Sequence, residues 1–167
     1  MYIVAIVQAR MSSTRLPGKV MKPISTGMPM IEALLFRLSK SKEVDKIILA
    51  TSTDSSNQPL VECTGKLGYS VFQGSENNVL DRYYQAALLH SADVVVRITG
   101  DCPLIDPDIV DAVIKTYKFT DVDYVSNTIS PTYPDGLDVE VFSFLSLKSA
   151  WESATESSDR EHVTPYI

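Results

Sequence analysis

Cysteine is nearly absent from this 167-residue chain, with Cys63 and Cys102 the only two. Two thiols do not make a disulfide framework, and their neighbours form no metal-ligand spacing. No apolar run approaches the length that crosses a bilayer. The first residues lack the basic, apolar and small-residue succession of a signal peptide, so a soluble cytoplasmic protein is expected, with no membrane partner. A formal net charge of -6 argues against wholesale nucleic-acid binding, which needs a basic face. Repeats, low-complexity tracts and interdomain linkers are also missing, and the length suits one compact domain over residues 1-167.

A narrower absence says more. No Asp or Glu precedes Glu32, although the chain as a whole is acidic. Inside that acid-free stretch lies Gln8-Ala9-Arg10-Met11-Ser12-Ser13-Thr14-Arg15-Leu16-Pro17-Gly18-Lys19. It follows the apolar run Ile3 to Val7, which reads as a buried first strand, so the loop leaves that strand's carboxyl end. Arg10, Arg15, Lys19 and Lys22 share the segment with the hydroxyls of Ser12, Ser13 and Thr14, and no local acid neutralises them. Guanidiniums, an ammonium, hydroxyls and loop N–H groups are what a polyphosphate requires. Pro17 and Gly18 predict a turn that aims the Lys19 amine inward. A solvated basic loop is the plainer alternative; placement directly after the first strand favours the phosphate reading.

Glycine is scarce in this loop, and that excludes two common phosphate motifs. A P-loop would have Gly where Ser13 stands, and Ser or Thr where Val20 follows Lys19. A dinucleotide fingerprint needs three closely spaced glycines, whereas Gly18 stands alone. The loop must grip with side chains more than with bare backbone.

Strand and helix patterns alternate over the first two-thirds of the chain. Ile31, Leu34, Leu35 and Leu38 mark a helix from about Pro29 to Ser39; Lys46 to Ala50 is a strand; Gln58 to Lys66 is a helix stopped at Gly68. Tyr69 to Phe72 forms a short strand, Leu80 to Leu88 a helix, and Asp93 to Ile98 the most strand-like run. Asp106 and Pro107 open another helix as N-cap and first helical residue. Asp123 to Ser126 and Leu137 to Phe142 read as strands, followed by a helix from Phe144 to Ala154. This order implies an α/β fold in three α/β/α layers around a mostly parallel sheet.

Gly100-Asp101-Cys102-Pro103 is the second strong signal. A strand end delivers Asp101 to the same sheet edge as the basic loop, and Mg²⁺ prefers one or two carboxylates plus phosphate oxygens and water. The alternative is an ordinary strand-to-helix turn. Nine acids lie between Asp101 and Glu140 against two bases, Lys115 and Lys118. Cys102 reads as a small buried filler, His90 as a helix-end cap, and Arg97 as a structural charge in need of a partner such as a nearby Asp. Asp138 and Glu140 alternate on a strand and so face one side, toward sugar hydroxyls, a metal or solvent.

Ala9-Arg10 and Ser13-Thr14-Arg15-Leu16-Pro17-Gly18-Lys19 together resemble the signature loop of the sugar cytidylyltransferases. The resemblance is closest to the deoxy-octulosonate enzymes and to the spore-coat polysaccharide branch, and it runs from Ile3 to the end of the chain. Gln8 departs from the Pro common at that place in the octulosonate enzymes. The resemblance implies the nucleotide-diphospho-sugar transferase fold and transfer of CMP from CTP to a sugar or sugar acid, with release of pyrophosphate, for surface polysaccharide synthesis. It implies that Ala9, Arg10, Met11, Ser13, Arg15 and Lys19 hold the nucleotide, that Ser75 and Arg82 help hold the cytidine, and that Arg15, Lys19 and Asp101 are catalytic. It further implies Asp101 as the Mg²⁺ ligand, and Asp138, Glu140 and His162 on the sugar side. Members usually continue for several more elements, including a second metal Asp, so the chain reads as a family domain cut short; a homodimer is allowed. A glycosyltransferase of the same fold, with Asp106 and Asp108 as its metal pair, and a non-catalytic nucleotide-binding module are the competing readings.

Overall fold

The computed structural model describes residues 1–13 and 15–167; Thr14, one of the three loop hydroxyls, lies outside the described residues. Four parallel strands and two further strands form one six-stranded sheet. The parallel strands are β1 (Ile3–Gln8), β2 (Lys46–Ser52), β3 (Ser70–Gly74) and β4 (Val94–Thr99). The last two are β5 (Tyr124–Ser126) and β6 (Glu140–Ser143), in the sheet order β3-β2-β1-β4-β6-β5. Helices α1 (Met30–Leu38), α2 (Gln58–Lys66), α3 (Val79–Leu89), α4 (Pro107–Phe119), α5 (Phe144–Ser153) and α6 (Ser157–His162) complete the fold.

β1 is buried on both faces, which is why it reads as an unbroken apolar run. Ile3, Ala5 and Val7 pack with α1 and α4 through Leu34, Leu35, Val110 and Ile114. Val4 and Ile6 point the other way, to α3 and α5 through Leu80, Tyr83 and Leu147. Each fully buried Leu or Ile contributes roughly 1.5–3 kcal/mol of transfer free energy, and the two layers clamp β1 at the centre of the sheet.

The expected elements are present, with two differences that bear on function. The first concerns Leu137 to Phe142, where the ladder begins only at Glu140. Before it, the Asn127 side chain substitutes for a neighbouring strand: its Oδ1 accepts from the Val139 N–H (2.9 Å) and its Nδ2 donates to the Leu137 carbonyl (2.8 Å). Asp138 therefore sits in the approach to the strand, and the expected strand alternation of Asp138 with Glu140 does not apply. The second is α6, a short helix with no apolar period, whose end carries His162. No helix among the described residues is long and apolar enough to cross a membrane.

Candidate active site

β1 and β4 are parallel neighbours in the sheet, yet the chain leaves them in opposite directions. From β1 it proceeds to β2 and β3 on one side, and β6 lies beyond β4 on the other. A crevice opens at the carboxyl ends of strands where such an order reverses. Gly100 lets the two strand exits meet there. Its N–H donates to the Gln8 carbonyl at 2.7 Å, and a Cβ on it would stand 2.5 Å from the Ala9 Cβ and 2.7 Å from the Gln8 carbonyl oxygen. Only glycine fits without moving backbone.

The resulting cleft encloses about 550 Å³, and its walls include Ala9, Arg10, Ser13, Arg15, Lys19, Thr99, Asp101 and His162. The two strongest sequence signals thus face one space. The basic loop is built from its ends inward. The Met11 N–H donates to Asn57 Oδ1 at 2.8 Å, and the Met11 carbonyl accepts from the Ser13 and Gly18 N–H groups, each at 2.9 Å. Asn57 is fully buried, with its amide nitrogen donating to Ser52 Oγ at 2.7 Å. Gly18, at φ 68°, begins a single 3₁₀ turn over Lys19–Met21 whose Val20 is buried. That anchor directs Lys19 into the cleft, as the Pro17-Gly18 turn predicts.

The expectation of an unneutralised loop needs correcting. Lys19 Nζ meets Asp101 Oδ2 at 2.7 Å, and Arg10 Nη1 meets Glu76 Oε1 at 3.3 Å. The Ser12 hydroxyl donates to the same Glu76 oxygen at 3.1 Å. Sequence distance hides both acids, which arrive from the ends of β4 and β3. Among the described residues no acid pairs with Arg15. Burial opposes ionisation of Asp101, but the Lys19 hydrogen bond and charge, with a Thr99 hydrogen bond, outweigh it and hold the carboxyl below its usual range. The Ser52 hydroxyl, with Ser12 and Arg10, likewise lowers Glu76 against the effect of burial.

The other sequence candidates fall outside the cleft wall, with one exception. Arg82 is completely buried, and its Nη1 donates to the Ser75 carbonyl at 2.5 Å. Ser75 Oγ accepts from the Asn78 N–H at 3.1 Å. These two residues shape the 75–78 loop from beneath, while Glu76 and Asn77 of that loop face the cleft. Burial lowers the Arg82 pKa. Glu140 is buried as well: it pairs with Arg97, its cross-strand neighbour, and accepts from the Tyr124 hydroxyl (2.7 Å) and the Thr164 hydroxyl (2.9 Å). So Arg97 has a Glu where an Asp was expected, and Arg97 itself lines the cleft. Asp138 is half-buried off the wall, and burial together with the charges of Asp135, Glu140 and Asp101 raises its pKa.

His162 is the exception, brought to the cleft by a strained turn. Val163 has φ 73° and ψ -54°, and the Thr164 N–H donates to the His162 carbonyl at 2.9 Å. This is the rare γ-turn that β-branched residues avoid. Burial of the Val163 side chain and the Thr164–Glu140 hydrogen bond hold it in place. Glu161 joins His162 on the wall. Sequence reading missed Glu76, Asn57 and Glu161. The Glu76 position within a polar strand-end loop was its only cue, and nothing local marks Asn57 as a loop anchor.

Elsewhere the chemistry is closed. Cys102 is buried beside Thr99 (Oγ1 to Sγ 3.1 Å), and burial pushes its thiol pKa up, which suits a filler and not a nucleophile. His90 ends α3 outside the cleft, its pKa lowered by burial and by Lys46. Asp106 caps α4, its Oδ1 accepting from the Asp108 N–H at 2.9 Å, and neither residue lines the cleft. That removes the carboxylate pair on which the glycosyltransferase reading rests. Among the described residues no three or more His, Cys, Asp or Glu side chains form a metal-holding group. Asp101 alone, about half exposed in the cleft, fits Mg²⁺, an ion that takes most of its ligands from phosphate and water.

A doubly wound sheet whose switch-point cleft joins a basic side-chain loop to one strand-end carboxylate defines a nucleotide-handling α/β protein. The chain belongs to the cytidylyltransferase family, whose model matches residues 4–167. It is 45% identical to an uncharacterized protein of Methanocaldococcus jannaschii over 169 residues, covering 100% of this chain and 67% of that protein. It is 36% identical to the spore coat polysaccharide biosynthesis protein SpsF of Bacillus subtilis, covering 99% of this chain and 69% of the other. A cytidylyltransferase structure from Leptospira borgpetersenii superposes with a TM-score of 0.94 at 34% identity, over 100% of this chain and 71% of that one. The chain thus spans about two thirds of the length of these relatives. The sheet and its helices are those of the nucleotide-diphospho-sugar transferase fold, and the family's activity is nucleotidyl transfer.

Proposed function

We propose that this cleft binds CTP and directs CMP transfer to a sugar or sugar acid, with release of pyrophosphate, for surface polysaccharide synthesis. The observation that carries the reading is the meeting of Lys19 and Asp101 in one cleft from positions 82 residues apart, one suited to phosphate oxygens and the other to a cation. In this reading Arg10, Ser13, Arg15 and Lys19 line the triphosphate path. Ala9 and Met11 carry the backbone beside the nucleoside, and Ser75 with Arg82 shapes the loop that covers the base. His162 faces the acceptor, while Glu140 acts behind the wall and Asp138 lends negative potential near Asp101.

The acceptor hydroxyl displaces pyrophosphate from the α-phosphorus in line, without a covalent enzyme intermediate. Arg15 and Lys19 stabilise the charge that develops on the departing pyrophosphate. Asp101 would hold Mg²⁺, which when bound supplies further neutralisation of phosphate charge. The polysaccharide context rests on the name of the Bacillus subtilis relative, and CTP on the family.

Isothermal titration of CTP, UTP, ATP and GTP with Mg²⁺ tests the base. CTP is expected to bind most tightly. Equal affinity for all four would reduce the site to a triphosphate grip.

A further inference from the structure

The carboxylate of the cleft best placed for a cation already has one. Lys19 Nζ lies 2.7 Å from Asp101 Oδ2, a charge-assisted contact with both groups only partly exposed. Two other bases on the cleft wall are engaged elsewhere: Arg10 with Glu76 and Arg97 with Glu140, so among the described ion pairs Lys19 is the one cation on Asp101. The 3₁₀ turn, fixed by buried Val20 and by Gly18, holds the lysine stem against the Asp101 edge of the cleft.

We propose that Lys19 is a latch on the metal site: it masks Asp101 until a triphosphate draws the ammonium away, so that metal entry depends on nucleotide. This inference rests on the proposed CTP reading and adds an order of events to it. Without nucleotide, a divalent cation approaching Asp101 must displace an ammonium from the carboxylate and then sit beside that displaced charge. When phosphate oxygens arrive, the ammonium gains an equally good partner a short side-chain swing away. Asp101 is then uncovered at the moment phosphate ligands for the cation become available. One lysine thereby links the two binding events, and a loose cation does not occupy the site alone.

An alternative origin of such coupling needs no latch: a lone carboxylate binds divalent cations weakly until phosphates complete the shell. The two accounts differ at Lys19. Mn²⁺ binding, followed by water-proton relaxation without nucleotide, should be weak in the unmodified protein. In Lys19→Met it should strengthen on the order of tenfold, because both the ion pair and the repulsion between the cations are gone. Lys19→Gln, which keeps a polar head, should show the same direction. Lys148→Met, which removes a cation on α5 away from the cleft, should leave nucleotide-free Mn²⁺ binding unchanged. Asp101→Asn in the Lys19→Met background should abolish the gain. A folded Lys19→Met or Lys19→Gln protein with unaltered Mn²⁺ affinity overturns the latch. CTP binding to the unmodified protein is recorded alongside: its absence would overturn the nucleotide reading, whereas its presence with unaltered Mn²⁺ binding in both lysine variants overturns the latch alone.

Discussion

Two ion pairs border the same cleft and differ in almost everything else. Lys19–Asp101 joins a loop to a strand end and is partly open to water. Arg97–Glu140 joins adjacent strands in register and is largely buried, with Tyr124 and Thr164 donating to the same carboxylate. An exposed pair contributes about 0–1 kcal/mol and exchanges partners easily. A buried pair costs several kcal/mol to break, because one charge is left stranded. The first suits groups that must change partners when a ligand arrives. The second suits a wall that must not move. Thr164 extends that wall to the turn presenting His162, so Glu140 braces that turn without lining the cleft itself.

The largest effect should come from breaking the fixed pair. Glu140→Ala is expected to lower unfolding stability by about 3–5 kcal/mol in urea denaturation, whereas Asp101→Asn should lower it by less than about 1 kcal/mol. Similar losses in the two variants would erase the distinction.

Gly100→Ala comes next, since its methyl would press on Gln8 and Ala9 backbone. A loss of about 1–3 kcal/mol is expected, together with weaker CTP binding as the two strand exits part. Full retention of CTP affinity in calorimetry would show that the exits need not touch.

Arg15 lies on the exchangeable side and has no acid partner among the described residues. Arg15→Ala should therefore change folding stability by no more than about 0.5 kcal/mol, yet reduce CTP affinity on the order of tenfold. If affinity holds, the loop returns to being a solvated surface.

The smallest effect concerns Asp138. Its raised pKa means that the ionised carboxyl opposes folding. Its favourable contribution is complete below about pH 4, the unfolded value, and is lost as pH rises through the higher folded value. Asp138→Asn should therefore melt higher than the unmodified protein at pH 7, with the gap closing toward pH 3.5. A constant gap across that range would assign the effect to something other than charge.

Most of the scaffold was legible because its causes are local. The apolar run of β1, the i, i+3, i+4 pattern of α1 and the Asp106-Pro107 opening of α4 each carry their own signal within a few residues. Short α6 has no such period, and β6 began late because an Asn127 side chain, ten residues or more away, took over the backbone of Leu137 and Val139.

For the site, the sequence by itself determined which groups were available: a basic side-chain loop after the first strand and a Gly-Asp at the end of a later one, since a loop's donors and a strand's end are read in place. The family was signalled by the resemblance of those residues to a known signature. The tertiary structure alone decided partnership. It set Asp101 against Lys19, Glu76 against Arg10 and Glu140 against Arg97, and it moved Glu140 and Arg82 behind the wall. Charges interact through space at a few ångströms, and strand order, not chain order, brings residues that close.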